Sequence, residues 1–234
     1  MKKKEIKVGI WSAYLSALFA IIWFITFHLK DMFVNVPDWK NIEAYTKAFD
    51  ILRMTYIYPS LLLAITYIIM LACLHRFIDE DKRLWSLIAL SLGIIYATMA
   101  SINYNIQAVS VRMSLAAGET GGIEMFLPDN PNSIFNALAN SYVYMALSSF
   151  FAGFIFKNGK LEKWIRWLLF AQILTVIGQI AHTMFDASMT LFIATSMVWI
   201  IGSPAAFILI AIWFHKNIKK AKLRNMPMMS PLFL

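Results

Sequence analysis

Trp164–Asp186, WIRWLLFAQILTVIGQIAHTMFD, is the stretch whose reading decides the fold. It is long and apolar enough to cross a bilayer, whose ~30 Å hydrocarbon core takes about 20 helical residues. Yet it carries Gln172, Thr175, Gln179, His182 and Asp186. At 100° per residue these five positions fall within an arc of roughly 80°. Such a stripe is costly against lipid and belongs against other helices or a water-filled space. The pattern predicts an inward-facing span whose stripe is the candidate functional surface.

Working outward, the rest of the chain repeats the motif of apolar run and charged turn. Of 234 residues, 60% are hydrophobic and only 15% charged, with a mean hydropathy of +0.64. Globular chains are about 45–50% apolar and about 25% charged. Six spans are predicted, at about 9–27, 60–74, 84–103, 134–156, 164–185 and 191–214, forming an all-α bundle and a single domain. The basic leader MKKKEIKV precedes an apolar run too long for a signal peptide and lacking a small-residue cleavage site, so it is expected to stay as a span. Ala13 and Ala17, and Ser149 and Gly153, are small residues spaced four apart for close helix packing.

Two long connections separate these spans. In 30–58, Trp39, Ile42, Tyr45, Phe49 and Leu52 recur at helical spacing, which predicts one amphipathic helix at the membrane surface. Pro59 marks the start of the second span. The stretch 111–133 holds Gly118, Gly121, Gly122, Pro128 and Pro131 and reads as a loop with a mobile middle. The turn KNGKLEK at 157–163 has Gly159 placed to end a helix. Pro204, inside the sixth run, predicts a kink near Ile200.

Charge placement orients the bundle. The leader, the 75–83 turn, the 157–166 turn and the tail hold four, three, four and five basic residues. That is 16 of the 21 Lys and Arg, against 5 of the 13 Asp and Glu. The positive-inside rule puts these segments and both termini in the cytoplasm, in a multi-pass protein of the cell membrane. It also accounts for the net charge of +8 without nucleic acid. Lys216, Lys219, Lys220, Lys222 and Arg224 form a tail suited to anionic lipid. A second copy or a partner subunit is compatible with this layout.

In that orientation the outer ends of spans three to five are polar. Asn103 and Gln107, Asn136, Asn140 and Tyr144, and the stripe from Gln172 to Asp186 point to an outward pocket for a small polar or amphipathic ligand. The same residue types also hold spans together. His182 and Asp186 lie four apart, where a carboxylate would orient the imidazole for acid–base work or hold it as a solvated helix-end pair. Of the four histidines, His28 and His182 fall at outer span ends, His75 and His215 at inner ends. That placement leaves open a b-type haem protein, although no cofactor is expected. No P-loop, HExxH, CxxC or GxSxG occurs, and Cys73 is the only cysteine, so no disulfide forms within the chain.

One segment carries a resemblance. Phe150–Trp167, FFAGFIFKNGKLEKWIRW, is similar to a group of uncharacterised bacterial six-span membrane proteins, in which a Gly-containing run, a short Lys-Gly turn and a Trp open the next span. Where that group suggests Pro-Arg before the Trp, this chain has Glu162-Lys163. The resemblance implies the six-span layout and assigns no functional residue.

In a background lacking Cys73, single cysteines at Asn41 or Gly121 are expected to react with an impermeant thiol reagent on intact cells. Labelling at Gly159 instead would reverse the orientation.

Overall fold

The computed structural model describes residues 3–28 and 39–224, with side chains for 4–27 and 39–217. Among the described residues the chain is helical throughout, without a strand. Five helical stretches are long and apolar enough to cross a membrane (Lys4–Phe27, Ile51–Phe77, Glu80–Ala117, Lys160–Phe185 and Met189–Asn217), which marks it as a membrane protein.

The long helices are α1 (Lys3–His28), α3 (Ile57–Phe77), α4 (Arg83–Ile106) and α10 (Met189–Arg224). Between them lie the short α2 (Ile42–Lys47), α5 (Arg112–Ala117), α6 (Ile134–Ala139) and α7 (Ser141–Gly153). The decisive stretch forms α8 (Lys160–Phe170) and α9 (Ile173–Phe185).

Neighbours in sequence pack antiparallel. Ser16 Oγ of α1 donates to Thr66 Oγ1 of α3 at 3.1 Å, and Arg76 pairs with Glu5 at 3.8 Å. Tyr67 of α3 meets Tyr96 of α4, while His75 Nδ1 lies 2.7 Å from Ser86 Oγ. α7 runs back along α4: Asn103 Nδ2 donates to the Phe135 carbonyl, Ser148 Oγ to the Ala89 carbonyl at 2.6 Å, and Trp85 stacks on Phe154. α8 and α9 follow α7, and α10 returns beside α1, closing a ring with aromatic side chains at its centre. This order brings α1's start, the 75–83 turn, the 157–163 turn and α10's end to one end of the bundle. There Lys157 also reaches Asp81 at 3.7 Å.

Several sequence expectations change. The fourth predicted span, 134–156, is two helices broken at Asn140, where Val143 N–H turns back to the Asn140 carbonyl at 3.0 Å. The 13 residues of α7 rise only about 20 Å, short of the hydrocarbon core. The helix of the third span continues beyond Asn103: α4 passes through a π-turn, Gln107–Val111, into α5. The fifth span is interrupted at Ala171–Gln172. Gly159, at φ 99°, precedes α8 rather than ending a helix.

The described part of the first long connection, from Trp39, and the second connection are folded; residues 30–38 lie outside the described residues. The expected amphipathic helix is α2, capped by Asn41 Oδ1 on Ala44 N–H at 2.8 Å, then a break, then a 3-10 turn at Ile51–Met54 capped by Asp50. Phe49 and Asp50 lie in the gap because the Asp50 carboxylate takes the Leu52 N–H at 2.8 Å, replacing a helical bond. The loop expected to be mobile is pinned at Leu127, fully buried, and at Gln107, whose amide donates to the Phe126 carbonyl. Two of its three glycines sit where φ is positive, Gly118 at 72° and Gly122 at 80°.

Arg53 joins the two connections. Its side chain is 3% exposed, donates to Asp129 Oδ2 at 2.6 Å and lies 4.6 Å from the Tyr45 ring centroid. Burial pushes the Tyr45 hydroxyl up to about 12, against the lowering pull of Arg53. Removing one partner of a buried pair strands the other charge. Asp129→Ala is therefore expected to cost about 3 kcal/mol of stability. The double variant Arg53→Met with Asp129→Ala should regain most of that loss in thermal unfolding in detergent.

Candidate functional site

α9 and α10 approach closely. A Cβ on Gly178 would meet Thr195 Oγ1 at 1.8 Å, and one on Gly202 would meet Gln172 Nε2 at 2.8 Å, so only glycine allows this contact. Gln172 itself is fully buried. Its Nε2 donates to the Leu168 carbonyl at 3.0 Å and the Val198 carbonyl at 3.4 Å, and its Oε1 accepts from Ser203 Oγ at 3.2 Å. Thr175 Oγ1 donates to the Thr195 carbonyl at 3.0 Å. The inner half of the predicted stripe is thus interhelical hydrogen bonding.

The outer half is different. Between α6, α7, α9 and α10 lies a cavity of about 640 Å³, at the end of the bundle opposite the termini. Its apolar floor and walls are aromatic: Trp23, Phe27, Tyr104, Tyr142, Trp199 and Phe192. Trp23, Tyr142 and Trp199 stand in mutual contact, with centroids 5.0–5.3 Å apart. Tyr104 and Tyr142 hydroxyls are 3.0 Å apart. The polar lining comes from Asn136, Asn140, Thr175, Gln179, His182, Thr183 and Ser196. No Asp, Glu, Lys or Arg is among the described lining residues.

Each polar group has a defined state. Asn136 is tied down, its Nδ2 donating to the Asn130 carbonyl at 2.9 Å. The side-chain amides of Gln179 and Asn140 make no hydrogen bond among the described residues. His182 Nδ1 lies 2.9 Å from the Ala187 carbonyl, and its ring stacks on Phe192 at 4.9 Å. A carbonyl only accepts, so Nδ1 carries a proton and donates to it.

Of the sequence candidates, Thr175, Gln179, His182, Asn136 and Asn140 line the cavity. Gln172, Asn103, Gln107, Tyr144 and Asp186 do not. Asn103 and Gln107 are buried and bonded to backbone carbonyls, Asn103 to Phe135 of α6 and Gln107 to Phe126 of the second connection. The structure does not bring His182 and Asp186 together. α9 ends at Phe185, and Asp186 turns into the left-handed region at φ 51°, exposed to solvent, leaving His182 to the Ala187 carbonyl. Of the histidines weighed for haem, His75 is bonded to Ser86 and His215 is exposed, while the His28 side chain lies outside the described residues. The side chains of Lys219, Lys220, Lys222 and Arg224 in the tail also lie outside them.

Sequence reasoning missed the aromatic walls. Trp23, Tyr142 and Trp199 sit in apolar runs, where a ring facing the bundle and one facing lipid read alike. Their one signal is depth, since Trp and Tyr favour the interfaces and Trp199 lies ten residues inside α10.

Gln172→Leu should leave the Ser203 hydroxyl and the Val198 carbonyl without Gln172, costing about 1–3 kcal/mol in detergent unfolding. Gly178→Ala should lower the melting temperature as well, by pushing α9 off Thr195.

In comparisons with known families, characterised proteins and solved structures, nothing matches this chain.

Proposed function

We propose that this chain is a binding component of the cell membrane, taking a small, uncharged, amphipathic molecule into the cavity between α7, α9 and α10. In this reading α6 and α7 together make a sixth crossing, and the basic end with both termini faces the cytoplasm. The cavity then opens outward. Trp164 and Trp167, both more than half exposed beside Lys160 and Lys163, suit the inner membrane interface.

The observation that carries the proposal is the cavity's chemistry. Its volume falls in the range of small-molecule sites, about 300–1,000 Å³. Its walls are aromatic, and unbonded amides stand at the rim. Among the described lining residues no Asp, Glu, Lys or Arg offers a counter-ion to an ionic ligand, so a neutral one is favoured. With His182 and Asp186 apart, no acid–base pair stands at the rim, and the reading is binding rather than catalysis. Transport component, sensor and accessory subunit all fit such a site.

Filling the cavity tests it. Ser196→Phe should occupy the space, and Gln179→Leu should remove a rim amide without disturbing α9. Organic extracts of wild-type protein purified in detergent should contain a small molecule, identified by mass spectrometry, that both variants lose at equal folded yield. Extracts that do not differ between wild type and Ser196→Phe would count against the cavity as a site.

A further inference from the structure

In and beside the cavity wall lie buried polar groups with no hydrogen-bond partner among the described residues. Trp199 is 4% exposed, and its Nε1 is buried with no hydrogen-bond partner among the described residues. Tyr96 is fully buried, and its hydroxyl is in the same condition. Buried polar groups are almost always bonded, so two orphans at one place call for an occupant. They share a neighbour. The Tyr142 ring lies 5.6 Å from the Tyr96 ring and 5.0 Å from the Trp199 ring; Tyr142 and Trp199 both line the cavity, and Tyr96 packs against Tyr142 behind that lining. Tyr142 is itself only partly buried, and its hydroxyl is fastened by the Tyr104 hydroxyl at 3.0 Å.

Resting on the cavity as a ligand site, the geometry points to Tyr142 as a gate over an inner subsite, where Trp199 Nε1 and Tyr96 Oη bind a hydrogen-bond acceptor of the ligand. An indole N–H only donates, and a phenol donates readily. The subsite therefore takes a carbonyl-type oxygen. The surrounding Trp23, Tyr142 and Trp199 rings favour a flat ring next to that oxygen, since offset and edge contacts stabilise aromatic pairs. No carboxylate stands among the described lining residues, which favours a neutral ring over a cation against those same rings. The ligand class is a neutral ring compound bearing a carbonyl, entering carbonyl first. The Tyr104–Tyr142 hydrogen bond holds the gate shut when the site is empty.

The test uses the full chain in nonionic detergent, with ¹⁵N in tryptophan and in glutamine side chains. The probes are acetophenone and α-methylstyrene, which share a shape and differ by the carbonyl oxygen. Trp199→Phe assigns the indole signal while keeping a ring in place. Acetophenone should shift the Trp199 N–H signal and slow its exchange with deuterium, whereas α-methylstyrene should shift only Gln179. Trp199→Phe should weaken acetophenone binding roughly fivefold, the worth of one net hydrogen bond, and leave α-methylstyrene unchanged. Tyr142→Phe and Tyr104→Phe should each speed exchange at Trp199 roughly fivefold. The double variant should exchange no faster than either, because both remove the same bond.

If both probes shift Gln179 alike and leave Trp199 untouched, the inner subsite falls while the cavity reading stands. Exchange at Trp199 unchanged in Tyr142→Phe overturns the gate. If neither probe perturbs Gln179 or Trp199, the cavity reading falls and takes the subsite with it.

Discussion

The hydrogen bonds of Gln172 are the constraint on which the cavity depends. By donating to the Leu168 and Val198 carbonyls and accepting from Ser203, Gln172 stabilises the break between α8 and α9 and fastens it to α10. Gly178 against Thr195 continues the contact outward. α8 packs on both α7 and α10, but α9 leans on α10 more than on α7. A gap then remains beside the outer end of α7, and aromatic rings line it. An unbroken helix from Lys160 to Phe185 would have no reason to part from α7 there.

The same economy of polar groups runs through the bundle. In hydrocarbon a polar side chain needs a partner inside the protein. Tyr67 meets Ser148 and Ser149 at 2.8 and 3.0 Å, Ser16 meets Thr66, and Asn103 and Gln107 meet the carbonyls of Phe135 and Phe126. Against that background, the free amides at Gln179 and Asn140 and the orphaned Trp199 and Tyr96 stand out. All four lie on or beside the cavity.

Much of the architecture was legible because charge and hydropathy are additive signals along a chain. The basic leader, turns and tail collect at one end, and five long apolar stretches emerged as membrane-length helices. The breaks were not legible. Asn140 and Gln172 interrupt helices through bonds to residues far off in sequence or through turn geometry, and periodicity extrapolates straight across them. For the site, period 3.6 placed Gln179 and His182 on one face, and both line the cavity. It also placed Asp186 there, one residue past the point where the helix stops. The rings that make the walls left no polar mark to read.

The Arg53–Asp129 pair has a consequence for how the molecule is made. The partners are 76 residues apart, with α3, α4 and α5 between them. During synthesis Arg53 emerges well before its counter-charge exists. Until Asp129 arrives, the guanidinium must stay hydrated, so the first connection cannot settle onto the bundle in its final position. Closure of the cap is therefore a late event of biogenesis, contingent on the chain having been delivered at least as far as Asp129. A chain arrested before that point would hold its first three long helices under an unsealed lid.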